Sequence, residues 1–208
     1  MRGPSLLAKN VHELLMTESK ESKDLLGRAH SLCADGQTLD ALKLCLPKAE
    51  AGDIACARLV GWIYCTGGTS VEKSPQEAKH WLTLASDNGD PLATYLLGTV
   101  LFEDGDTQAA IERFHRAGEQ GVSAGLYQLG KLYDVGSSVE KDKERAYNFY
   151  RRSASMGHVF ARRQVARMLI EGHRGVVGWF IGVPMLIAAI FWGAYTAVTD
   201  PYGERTYD

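Results

Sequence analysis

The chain has 208 residues, is 23% charged and carries a formal net charge of −2, values ordinary for a folded protein with a core of its own. The charge is unevenly spread: residues 1–144 hold 15 Lys and Arg against 21 Asp and Glu, whereas residues 145–174 hold seven Arg against Glu171 alone. The acidic bulk and the short reach of the basic stretch argue against nucleic-acid binding. Cys33, Cys45, Cys56 and Cys65 form no CxxC pair and no zinc-like spacing, which leaves them as reduced, buried or half-buried thiols.

In chain order, the opening "MRGPSLLAKNVHELLMTESKESK" lacks the apolar core of a secretory signal, so the body is expected in the cytoplasm. Leu6, Leu7, Val11, Leu14 and Leu15 stand at near-helical spacing, so residues 1–21 are expected to form an N-terminal capping helix. Internal repetition follows over residues 22–174. The stretches "CARLVGWIY", "ATYLLGTVL", "GLYQLGKLY" and "ARRQVARML" superpose on a central small residue. With Ala29 added, those centres are Ala29, Gly61, Gly98, Gly130 and Ala166, separated by 32, 37, 32 and 36 residues. A period of that length predicts stacked helical hairpins, each with a helix A and a helix B. In the second halves, Ala41, Ala78, Ala110 and Ala146 each precede Gly52, Gly89, Gly121 and Gly157 by 11 residues. The alanine lets helix B approach helix A, and the glycine ends helix B in a left-handed cap.

Two units carry the matching loops "GTSVEKSPQEA" and "GSSVEKDKERA", and two carry the short forms "GQTLDA" and "GDTQAA". The long form resembles the Sel1-like repeat and the short form resembles the tetratricopeptide repeat. The resemblance covers residues 22–171 and implies an all-α, right-handed α-solenoid that binds proteins. Departures are Ala29 and Ala166 in the helix A glycine slot, Lys48 in an inward alanine slot, and Pro47, which is expected to bend or end its helix. The last unit reads as a helix A without an ordinary helix B.

Residues 175–198, "GVVGWFIGVPMLIAAIFWGAYTAV", contain no charge; as a helix they would reach roughly 36 Å, enough to cross a bilayer. They are expected to form a transmembrane helix. The flanking arginines orient it with the solenoid in the cytoplasm and the tail, residues 199–208, outside an inner membrane. Gly178, Gly182, Ala189, Gly193 and Ala197 lie along one face and suit packing on an integral-membrane protein. Arg162, Arg163, Arg167 and Arg174 are placed to meet lipid headgroups.

No HExxH, GxSxG, GxxxxGK[ST] or GxGxxG occurs and the six histidines are dispersed, so no catalytic residue, cofactor or metal ligand is assigned. The repeat resemblance implies instead that residues three before and one after each central small residue line a concave face. These are Arg58 and Trp62, Tyr95 and Thr99, Tyr127 and Lys131, and Arg163 and Arg167, with Leu26 and His30 in the first unit. Aromatics and cations there suit a protein partner presenting acidic and apolar groups, although the aromatics could instead pack between repeats. The expected function is a membrane-anchored, non-enzymatic adaptor or accessory subunit, with a cell-envelope or polysaccharide synthesis or export complex as its setting by analogy. The alternatives are a regulatory subunit acting through its transmembrane helix, and a small-ligand receptor or enzyme using the groove.

Overall fold

A computed structural model describes residues 23–68, 70–172, 180–188, 190 and 191. Ten helices occur among them: α1 (23–34), α2 (Thr38–Glu50), α3 (Ile54–Thr66), α4 (Pro75–Asp87), α5 (Pro91–Glu103), α6 (Thr107–Glu119), α7 (Ser123–Val135), α8 (Lys143–Ser155), α9 (Val159–Ile170) and α10 (180–191, residue 189 not described). The described residues form no strand, only an isolated bridge between Gly68 and Val71. The chain divides into two compact units, Met1–Asp90 and Pro91–Asp208.

Helix ends are written into the sequence. Each of α1 to α9 is followed by a glycine at positive φ, and no other residue type takes positive φ among the described residues. A side chain with a Cβ would be strained there, so glycine stops each helix and turns the chain. Starts are set by side chains: Asp53, Ser74, Asp106 and Asp142 accept the N–H three residues on, at 2.9, 3.4, 3.1 and 2.9 Å. In the two long loops the cap residue also donates its own N–H back to helix A, Ser74 to the Tyr64 carbonyl and Asp142 to the Tyr133 carbonyl.

Ala41, Ala78, Ala110 and Ala146 are fully buried, as are the central residues Ala29 and Ala166 of helix A. The close approach between the helices is made by pairing a glycine on A with a large residue on B. A Cβ at Gly61 would come within 2.7 Å of Leu82, one at Gly98 within 2.8 Å of Phe114, and one at Gly130 within 2.5 Å of Tyr150. Each large partner stands four residues after the helix B alanine, on the same face. In the first hairpin the corresponding residues are Ala29 and Cys45, so a slightly larger slot residue faces a smaller partner position.

Three sequence expectations are corrected. Pro47 neither ends nor shortens its helix, because α2 runs through it to Glu50 with the same 13 residues as α3 to α8; lacking an N–H, it leaves the Lys43 carbonyl without its i+4 backbone donor, at the cost of one bond. Lys48 is exposed and Ala49 takes the buried position beside it. The last unit does have a second helix: a Cβ on buried Gly182 of α10 would meet the Ala166 carbonyl at 2.8 Å, Ile170 at 2.9 Å and Leu169 at 3.0 Å, and Met185 packs on the buried cluster of α8 and α9.

The transmembrane assignment for residues 175–198 is overturned by the same packing. Among the described residues no helix is long and apolar enough to cross a membrane. The uncharged run reflects in part a helix that buries one face on its own protein. The placement as a single-pass inner-membrane chain with its tail outside is withdrawn with it. Gly178, Ala189, Gly193, Ala197 and Arg174, and the expected capping helix of residues 1–21, lie outside the described residues.

Candidate protein-binding face

In the first unit, Arg58 of α3 places Nε 3.1 Å from Asp90 Oδ2, both largely shielded from solvent; it is an ion contact rather than an aligned hydrogen bond. Trp62, one turn on, is half-buried. Arg58 is therefore used within the fold. Leu26 of α1 is half-buried and His30 exposed.

In the second unit the A helices are α5, α7 and α9, and residues assigned to the concave face link one to the next. The Tyr95 hydroxyl accepts a hydrogen bond from Gln128 Nε2 at 3.4 Å, tying α5 to α7. The Tyr95 ring lies 6.0 Å from Phe114. Thr99 donates to the Tyr95 carbonyl of its own helix, so its hydroxyl is satisfied locally. Tyr127 stacks on His158 with centroids 4.6 Å apart and lies 6.4 Å from Phe160 at the start of α9. Arg167 of α9 pairs with Asp134 of α7, holds Glu171 at 2.9 Å and 3.1 Å through Nη1, and donates from Nε to Gln164 at 2.8 Å.

These contacts place α7 and α9 side by side as two matched rows. Along α7 stand Tyr127, Lys131 and Asp134; along α9 stand Phe160, Arg163 and Arg167, each set at helical i, i+3, i+4 spacing. The aromatic pair and the ion pair are joined by direct contact; Lys131 stands between Tyr127 and Asp134 along α7, and Arg163 between Phe160 and Arg167 along α9. Both are exposed, and Phe160 at the start of α9 is 61% exposed. The sequence reading thus named two kinds of residue together: Tyr95, Thr99, Tyr127, Arg58 and Arg167 bind within the protein, while Lys131 and Arg163 face outward. Of the arginines assigned to headgroups, Arg162 reaches the Ala154 carbonyl at 3.4 Å and Arg167 is paired as described, which removes much of the proposed headgroup patch.

The sequence reading missed Gln128, Asp134, His158 and Phe160. His158 had a usable signal, since it follows Gly157 as Asp53 follows Gly52, in the N-cap position. Its Nδ1 accepts the Ala161 N–H at 3.2 Å, which requires the neutral ring, and burial pushes its pKa down to about 4. On Arg167, burial opposes the charge, but the Glu171 and Asp134 carboxylates outweigh it and raise the pKa above the ordinary value.

The thiols are all free. Cys45 and Cys56 are buried and share a hydrogen bond, and burial with a neighbouring Cys45 pushes the Cys33 thiol up to about 11. Cys33 is therefore uncharged at neutral pH. No group of three or more His, Cys, Asp or Glu able to hold a metal occurs among the described residues. A recess of about 510 Å³ lies in the α7–α8 loop, lined by Glu140, Lys141, Asp142, Lys143 and Arg145 with Tyr133 and Val139. Its charged lining lacks the apolar walls of a typical small-molecule site.

Comparison with known proteins agrees with the hairpin-repeat fold. The chitin synthase regulator SKT5 of Saccharomyces cerevisiae is 28% identical over 120 residues, which cover 55% of this chain; the chain spans only 17% of that protein's length. A Sel1 repeat protein from Oxalobacter formigenes superposes with a TM-score of 0.67 at 25% identity, over 79% of this chain and 69% of that one. The protective antigen c5321 of uropathogenic Escherichia coli superposes with a TM-score of 0.61 at 25% identity, over 73% of this chain and 37% of that one. The family described as Sel1 repeat matches residues 54–90, 91–122 and 123–158, which are the hairpins α3–α4, α5–α6 and α7–α8. The protein is an all-α solenoid of hairpin repeats, and the chain belongs to the Sel1-repeat family.

Proposed function

We propose that this chain is a protein-binding adaptor whose α7–α9 face takes an acidic peptide segment carrying an apolar side chain. Sel1 repeats generally mediate protein–protein interaction and are typically non-enzymatic scaffolds. The observation that carries the finer reading is exposure: Lys131 on α7 and Arg163 and Phe160 on α9 are exposed, whereas Arg167 is already paired. A carboxylate would meet the two cations, and an apolar side chain one helical turn away would lie on Phe160. Exposed cations give such binding a strong dependence on salt.

The setting proposed for the adaptor is an assembly that makes or exports a polysaccharide. The regulator of chitin synthase among its relatives supports this, over the repeat region that the two chains share. The test is co-purification after cross-linking from the native host, with the parent chain and a Lys131→Glu/Arg163→Glu variant side by side. Recovery of polysaccharide-synthase components with the parent but not the variant is expected. Equal recovery with both would remove the α7–α9 face from the reading, and recovery of neither a synthase nor any acidic client would remove the reading itself.

A further inference from the structure

Four times along the chain, a residue four places after the helix B alanine is followed 11 positions later by a residue early in the next helix A. Three of these pairs combine a large residue with a small one: Leu82 and Ala93, Phe114 and Gly125, Tyr150 and Ala161. The repeat sets the two positions against each other. A Cβ on Gly125 would come within 2.5 Å of the Phe114 carbonyl, and Tyr150 and Ala161 belong to one buried cluster. The second residue is small because the two helices meet there. At the first occurrence, between α2 and α3, both residues are cysteines, Cys45 and Cys56.

Both side chains are completely buried, both thiols are free, and they share a hydrogen bond. Two medium-sized side chains thus stand where the other repeats place a large one against a small one, and their sulfurs meet across the helix contact. A disulfide requires Cβ atoms about 3.5–4.5 Å apart and an S–S bond of about 2.05 Å. Thiols already in hydrogen-bond contact reach that bond by small rotations about their own χ1 bonds. The Cys56 thiol donates to the Cys45 sulfur, which lowers the Cys45 pKa and favours its thiolate. Cys33 and Cys65 occupy a different position of the repeat, each four residues after the central small residue of helix A.

We propose that Cys45 and Cys56 form a redox-sensitive clamp: a peroxide converts the thiol pair into a disulfide that ties α2 to α3, and a dithiol reductant opens it. The Cys45 thiolate attacks one oxygen of hydrogen peroxide and the O–O bond breaks. The sulfur is oxidised to a sulfenic acid, and the departing hydroxide takes up the proton the thiol had lost, as water. The Cys56 sulfur then attacks the sulfenic sulfur; the S–S bond forms, the S–O bond breaks, and the hydroxyl leaves with the Cys56 proton as a second water. Two thiols and one peroxide give one disulfide and two waters. Because both sulfurs are buried, the reaction waits on brief openings of the contact and is slow beside that of an exposed thiolate. The clamp involves no residue of the α7–α9 face.

The test starts from the full chain, reduced, then treated with a small excess of hydrogen peroxide, quenched with catalase, denatured and alkylated with iodoacetamide. Mass spectrometry should find Cys33 and Cys65 alkylated and Cys45 and Cys56 not, whereas all four are alkylated in the untreated chain. Trypsin cuts after Lys48, between the two cysteines, so the bridge is read as a linked pair of peptides that dithiothreitol separates. Amide exchange over residues 38–66 should slow by at least about tenfold in the oxidised chain and recover on reduction. Cys45→Ser and, separately, Cys56→Ser should abolish the linked pair. The double variant Cys33→Ser/Cys65→Ser leaves the contact intact and should form it as the parent does. Four alkylated thiols after peroxide treatment would overturn the proposal. So would a bridge through Cys33 or Cys65, a Cys45 sulfinic acid in place of the bridge, or an exchange rate that the bridge leaves unchanged.

Discussion

In the hairpin α7–α8 the small residue is on the first helix, Gly130, and the ring of Tyr150 on the second helix fills the space in front of it. In the hairpin α9–α10 the small residue is on the second helix, where Gly182 lies against the Ala166 carbonyl, Leu169 and Ile170. In the first arrangement Tyr150 is almost completely buried; in the second, Ile187 and Phe191 of the same helix as Gly182 remain exposed. What has to be kept is the combined volume of the two facing positions, and either helix can supply the reduction. The tolerance of each hairpin to added bulk should differ accordingly.

The largest effect is expected at the closed hairpin. Gly130→Ala puts a Cβ 2.5 Å from the Tyr150 ring, which has no free side to move toward. It should destabilise the protein by about 3 kcal/mol, read from the urea midpoint. At the half-open hairpin, Gly182→Ala meets a backbone carbonyl at 2.8 Å, but α10 can retreat outward. A loss of about 1–2 kcal/mol is expected there, seen as faster amide exchange confined to residues 180–191. If α7 and α8 lost protection equally, the two hairpins would not be separable in this way.

The helix starts differ as well. Val122 precedes α7 with no side-chain cap, whereas His158 caps α9. Above about pH 6.5 the histidine is neutral in folded and unfolded chains alike, and its contribution is complete. As the pH falls from 6.5 to about 4, the unfolded chain takes up the proton first, so stability falls with pH and levels off below about 4. After allowance for solvent screening at a half-buried ring, this is worth about 1–2 kcal/mol. His158→Asn keeps a cap that does not titrate and should flatten the pH dependence of the urea midpoint over that window. The smallest change is a gain: Gly27, inside the helix of residues 23–34, has nothing within 4 Å of a built Cβ, so Gly27→Ala should stabilise by about 0.5–1 kcal/mol in the same assay.

The A-slot glycines, the helix B alanines and the stop glycines could all be read from spacing, because each is a position where only a small or left-handed residue fits. The large partners Leu82, Phe114 and Tyr150 could not be read in the same way. They share volume but no residue type, and what they fill is visible only against the opposite helix. The same cause hid α10. A search keyed to a small residue on helix A and an alanine on helix B passes over a hairpin whose glycine is on helix B, and an uncharged run then reads as a lipid-facing helix. On the binding face, the register that projects residues from helix A was legible. Which of them the protein consumes was not, because Arg58 with Asp90 and Arg167 with Asp134 are pairings between residues more than 30 positions apart.

The stop glycines carry a consequence for how such a chain can change in length. Outside the two long loops, each turn from one helix to the next passes through a glycine at positive φ directly after the helix, whatever segment follows. A cut after Gly89 or Gly121 and a join before the matching residue of another hairpin would leave every remaining helix with its original stop. Whole units can thus be duplicated or excised in frame, and the number of hairpins becomes a quantity that evolution or an engineer can adjust one at a time.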